Sequence, residues 1–256
     1  ARSQLIAARS EGRDVLLVFT AAPASQTDLS FGPAGNALAR LNAHELRAWP
    51  PARDVTAERL ETGLDQQGAP ERSAIFVAVT AEESGLLGSA YYAADPIVPL
   101  NKTVAGINID GVLPIGQTKD MIVVGYGSSE LEDRLEALLK PRDMYIVPDP
   151  KPEAGYYYRS DHISLGKLGV PMLYSDSGID HVVKGKAYGE AFSNEYTEQR
   201  YHKPGDEYDH SWDLSGLELT SEILFQLGYA IANSQDWPTW YEGTECRALR
   251  DDMMAK

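Results

Sequence analysis

Residues Ile75 to Tyr92 read IFVAVTAEESGLLGSAYY, and the rest of the chain organises around them. The first six, Ile75 to Thr80, are apolar or β-favouring without alternation, which predicts a strand buried on both faces. That strand runs into two adjacent carboxylates, Glu82 and Glu83, and then into a small-residue helix start, Ser84 to Ser89. In an open α/β sheet, ligands bind outside the carboxyl ends of the strands. Two acids crowded there repel and raise each other's pKa. A metal relieves that cost if one acid faces the ion and the other faces its bound water. A plainer reading has both acids open a helix, where they complement its macrodipole.

Working outward, Asp14 to Thr20 (DVLLVFT) is the first strand, preceded by a short helix over Ser3 to Ser10. Val104 to Asp110 (VAGINID) is the next buried strand, and again an acid, Asp110, stands at its end. Further strands are predicted at Met121 to Val124, Met144 to Val147 and Val170 to Tyr174. Helical spacing covers Asn36 to Trp49, Asp54 to Leu64 and Leu214 to Ala232. Ser129 with Glu132 forms a capping box for another helix. Gly155 to Ser164 reads as a polar, aromatic loop. Tyr188 to Tyr208 lacks a clear period and reads as a long surface loop, of the kind that often carries function. Strands alternate with helices throughout, so the expected fold class is α/β.

The 256 residues suffice for one sizeable core and are too few for two comfortable domains. A net charge of −15 argues against a nucleic-acid partner, which requires clustered Lys and Arg. The single Cys246 excludes an intrachain disulfide and any thiolate-rich zinc site. No apolar run approaches the roughly 18 residues of a membrane span, and no signal peptide is recognisable.

Glu82, Glu83 and Asp110 thus stand at predicted strand ends, and His202 stands in the polar segment Arg200-Tyr201-His202-Lys203-Pro204. Oxygen and imidazole donors together suit zinc, with manganese or cobalt as alternatives. A free carboxylate beside the ion would act as general base, and a tyrosine could stabilise an oxyanion. Each residue also has a bland reading: Asp110 as a turn acid, His202 as a solvated loop histidine, His162 as a hydrogen-bonded structural histidine.

Five ordered motifs resemble the zinc aminopeptidase family, which also contains glutaminyl cyclases and glutamate carboxypeptidases. They are TAEESGLLGS around Glu82-Glu83, NID at Asp110, YYRSDH from Tyr157 to His162, the turn Gly169-Val170-Pro171, and RYHKPGDEYD from Arg200. The resemblance covers roughly residues 73–245 and implies a single three-layer domain over 1–256, with a mostly parallel or mixed sheet flanked by helices. It implies Glu82 as general base, Tyr157 as oxyanion-stabilising tyrosine, and Glu83, Asp110 and His202 as metal ligands. Ser160, Asp161 and His162 match the element that shapes the substrate pocket. One or two zinc ions, a peptide substrate and a secreted or periplasmic location are expected on the same ground.

Residues 1–72 depart from the family pattern. Where a His-x-Asp motif is expected, the best placement sets Ala22 and Ala24. Gly35 stands where a metal-bridging Asp is expected. Asp28, His44, Glu45, Asp54 and Asp65 are candidate substitutes. Three functions therefore compete: a metal-dependent aminopeptidase-type hydrolase, a catalytically weakened homologue that binds peptides or a protein, and a glutaminyl-cyclase-like acyltransferase.

Overall fold

The structure, a computed structural model, describes residues 15–21 and 70–255. Six strands form one sheet: β1 (Val15–Ala21), β2 (Ser73–Val79), β3 (Thr103–Ile109), β4 (Asp120–Val124), β5 (Tyr145–Pro148) and β6 (Met172–Ser177). Their order across the sheet is β2-β1-β3-β6-β4-β5. The first four in that order are mutually parallel, while β4 lies antiparallel to β6 and carries β5 parallel beside it. The sheet is mixed and the fold is α/β, as expected. The carboxyl ends of β1, β2, β3 and β6 consequently share one edge, where the acids of interest emerge.

Helices α1 (Leu87–Ala94), α2 (Leu131–Leu139), α3 (His162–Gly166), α4 (Lys186–Gln199), α5 (Ser215–Ala232) and α6 (Arg247–Met254) complete the described regular structure, apart from short 3-10 turns. Neighbouring strand residues point to opposite faces, and β6 shows where that leads. Leu173 joins a core with Leu131, Leu135, Ile223 and Leu227 from α2 and α5. Met172 joins a second core with Tyr92, Leu165 and Trp240. Helices therefore cover both faces of the sheet. Each fully buried aliphatic side chain contributes roughly 1.5–3 kcal/mol.

The strands predicted near residues 14, 104, 121 and 144 are observed within one residue of their expected bounds, and the last strand starts two residues and ends three residues later than expected. β3 is buried at every position, flanked by β1 and β6. β2 differs from expectation: at the edge of the described sheet, it buries Val77 and Val79 while its other residues are half-covered. An apolar run does not reveal how many neighbours a strand will have.

The loop expected over Tyr188 to Tyr208 is replaced by α4 for most of its length. Among its residues Gly189 alone is buried, so α4 rides on the surface and needs no apolar stripe for periodicity to detect. The capping box is half made. Glu132 reaches back to the Ser129 N–H and also accepts from Gly127 and Ser128, whereas the Ser129 hydroxyl has no partner among the described residues. The helices expected over Ser3–Ser10, Asn36–Trp49 and Asp54–Leu64 lie outside the described residues. So do the placements at Ala22, Ala24 and Gly35, and the candidates Asp28, His44, Glu45, Asp54 and Asp65.

Candidate active site

The loop after β2 is wound tightly. Ala81 (φ 57°), Gly85 (φ 99°) and Leu86 (φ 60°) all take left-handed backbone conformations, two of them without the freedom of glycine. Gly85 and Leu86 donate to the Glu82 carbonyl at 3.0 and 2.9 Å, and Gly88 donates to the Thr80 carbonyl at 3.0 Å. A Cβ at Gly88 would collide with the Thr80 backbone, so α1 can fold back onto the strand end only with glycine there. Such strain collects where a site must hold side chains in place. The turn presents Glu82 half-buried and Glu83 exposed. The Glu82 carboxyl is pushed up to about 7, first by burial and then by the charges of Asp110, Glu83 and Asp161, with Arg159 pulling back.

β3 delivers the next group. Asn108 and Asp110 lie on the same side of the strand by its two-residue alternation, and both meet Ser160. The Asn108 amide donates to the Ser160 hydroxyl at 2.8 Å, and that hydroxyl donates to Asp110 Oδ2 at 2.7 Å. The Tyr174 hydroxyl lies 3.4 Å from the same oxygen. Asp176 accepts from the Asp110 backbone and from Tyr174, and burial together with the Asp110 charge raises its pKa well above the usual range. Asp161 is buried beside this network, and its carboxyl is raised to about 6 by burial against an opposing hydrogen bond from Ser89. His162 follows it into α3, with its ring between those of Tyr157 and Tyr174.

The third contribution follows α4. Arg200 and Tyr201 both donate to the Tyr196 carbonyl, closing the helix. His202 then adopts φ 57°, with its ring stacked on Tyr201 at 3.9 Å and 22°. Its Nε2 lies 3.0 Å from Glu83 Oε1. The fold thus joins the first and last of the expected motifs directly.

Tyr157 packs against His162, their ring centroids 5.0 Å apart. Its ring fills the space that a side chain at Gly125 would occupy, and its hydroxyl shares a hydrogen bond with Ser128. Burial raises its pKa, so the phenol stays protonated at neutral pH. Several site residues escaped the sequence reading: Asn108, Tyr174, Asp176, Tyr201 and Arg159. Asn108 carried a signal, since a lone amide inside VAGINI is out of place in a buried strand unless something bonds it. The tyrosines carried none.

Zinc is the ion that the resemblance implies, and its usual donors are those Glu83 and His202 present. Two ligands held at roughly 2.0–2.1 Å by a tetrahedral ion stand about 3.3 Å apart, close to the 3.0 Å between these two atoms. The pair fits two places in a zinc shell. Asp110 stands two strands away from β2, about 9–10 Å across the sheet. No cluster of three His, Cys, Asp or Glu side chains able to hold an ion occurs among the described residues.

Solved structures resemble this fold. The aminopeptidase from Aneurinibacillus sp. strain AM-1 superposes with a TM-score of 0.51 at 19% identity, over 88% of this chain and 45% of that one. The LapA aminopeptidase of Legionella pneumophila gives a TM-score of 0.56 at 17% identity, over 88% of this chain and 53% of that one. The chain therefore spans about half the length of these relatives. No curated protein sequence matches it. The sequence pattern of peptidase family M28 matches residues 55–227, most of the chain and all of the site described above. The chain belongs to peptidase family M28.

Proposed function

We propose that this protein is a metal-dependent hydrolase that removes N-terminal residues from peptides. The observation that carries the reading is the meeting of Glu83 with His202 at 3.0 Å, beside a Glu82 whose carboxyl is raised to about 7. Glu83 and His202 would supply two donors to a zinc ion, with Asp110 left for a second ion, and zinc when bound would supply Lewis acidity at the scissile carbonyl. Glu82 takes a proton from the attacking water and returns it to the leaving amine. A base whose pKa lies near the working pH does both efficiently, because it takes up and gives back a proton at little cost.

Tyr157 would donate its hydroxyl to the developing oxyanion, exchanging Ser128 for the substrate. Ser160 holds Asp110 in place through its 2.7 Å hydrogen bond, and Asp161 and His162 form the buried wall behind it. The acids surrounding Glu82 would attract the α-ammonium group of a peptide, which favours cleavage at the amino end.

Metal analysis of protein purified without chelator, with assay on aminoacyl chromogenic substrates, tests this reading. Bound metal and chelator-sensitive release of the chromophore are expected. Glu82→Gln should keep the metal and lose roughly 10²–10⁴-fold in kcat, the usual contribution of a general base. A protein with neither metal nor chelator-sensitive activity would instead be the peptide-binding homologue.

A further inference from the structure

Glu82, Glu83, Asp110 and Asp161 make the cleft strongly acidic, and the cation Arg159 stands near them. Arg159 is exposed and adjoins Ser160, whose hydroxyl is bonded to Asp110 at 2.7 Å. The guanidinium lies 6.0 Å from the Tyr156 ring centroid, and Nη1 donates to the Ala154 carbonyl at 3.3 Å. Most of its five N–H donors have no partner among the described residues, and it forms no ion pair with any of their carboxylates. Its charge acts on Glu82 on one side and on the Tyr201 hydroxyl on the other. Arg159 therefore lies within electrostatic reach of both the Glu82 loop and the turn that carries His202.

We infer that Arg159 binds the free α-carboxylate of a short peptide whose amino end lies among the acids, making dipeptides the preferred substrates. This rests on the hydrolase reading above and deepens it. The carboxylate of a dipeptide lies one residue beyond the bond cleaved, about 3.5 Å of chain, within reach of a rim side chain. A planar guanidinium with free donors grips a carboxylate through two parallel hydrogen bonds, which a lysine cannot reproduce. The arginine also tells the carboxyl end of the peptide from its amino end, and so sets the direction in which the peptide lies.

The test compares leucyl-glycine with leucyl-glycinamide, which differ only in the terminal charge. In the wild type the acid should be the better substrate. Arg159→Gln should lower the ratio of kcat/KM for acid over amide tenfold or more, mainly through KM, and Arg159→Lys should restore part of it. Calorimetric titration of both compounds into Glu82→Gln protein, with and without Arg159→Gln, reads the same preference without turnover. An unchanged ratio and an unchanged binding preference in the Arg159 variants would overturn the inference. If the wild type cleaves neither compound, the hydrolase reading falls, and the calorimetric preference still decides the role of Arg159.

Discussion

His162 and His202 were both expected in the site, and the fold gives them opposite surroundings. His162 is 1% exposed, wedged between the Tyr157 and Tyr174 rings at 5.0 and 5.1 Å. Neither of its nitrogens has a partner among the described residues, and burial pushes its pKa down to about 3. The His202 side chain is 45% exposed, sits on a left-handed turn and points Nε2 at Glu83. One imidazole is held neutral by packing and can only fill space. The other keeps a lone pair where a cation or a proton can reach it. Two histidines that the same motif set brings together thus differ by burial, one enclosed by rings and the other open to solvent beside a carboxylate.

Truncation should separate them most sharply. His162→Ala should cost about 2–5 kcal/mol of stability, the range for emptying a large side chain from a core, measured by denaturant unfolding. His162→Phe should lie within about 1.5 kcal/mol of the wild type, because a similar shape is kept and an unsatisfied polar group is removed. If His162→Ala unfolds like the wild type, the wall role is wrong. For His202→Ala the effect should move to the metal. A loss of at least the roughly 10–100-fold in zinc affinity that removal of an outer-shell partner causes is expected, with stability changed by about 0.5 kcal/mol or less.

The remaining difference is in the pH dependence. His162 titrates at about 3 in the folded protein and near 6.5 when unfolded. Between those values the unfolded chain binds the extra proton, so this histidine's contribution is complete above about 6.5 and lost as the pH falls towards 3. Glu82 and Asp161, raised to about 7 and 6, act in the opposite sense and gain stability as the pH falls. Both cancel when the wild type is compared with His162→Phe. The stability difference between those two proteins should drift by about 1.4 kcal/mol per pH unit through that window. A difference that stays flat through that window would mean that packing does not hold His162 neutral.

Most of the fold was legible because its elements are chemically plain. The all-apolar VAGINI run becomes the fully buried β3, and the leucine spacing after residue 214 becomes α5. α4 was not legible, since a helix resting on the surface through one glycine leaves little pattern to read. The site divides along the same line. Glu82, Glu83, Asp110 and His202 were visible as acids and an imidazole at breaks in regular structure. Tyr201, Tyr174 and Arg159 were not, because a tyrosine or arginine acquires a role only from what the fold sets beside it.

By itself, then, the sequence determined the α/β alternation, the acid pair after β2, the acid after β3 and the motif order that marks the family. These follow from local composition, which acts over a few residues. Only the tertiary structure decided that Glu83 meets His202, that Ser160 bridges Asn108 and Asp110, that β2 lies at the edge of the described sheet and that His162 is buried between two rings. Those facts depend on which distant segments pack together and how much water they exclude. The chemistry of the Glu82–Glu83 turn was written locally, and its partners were chosen by the fold.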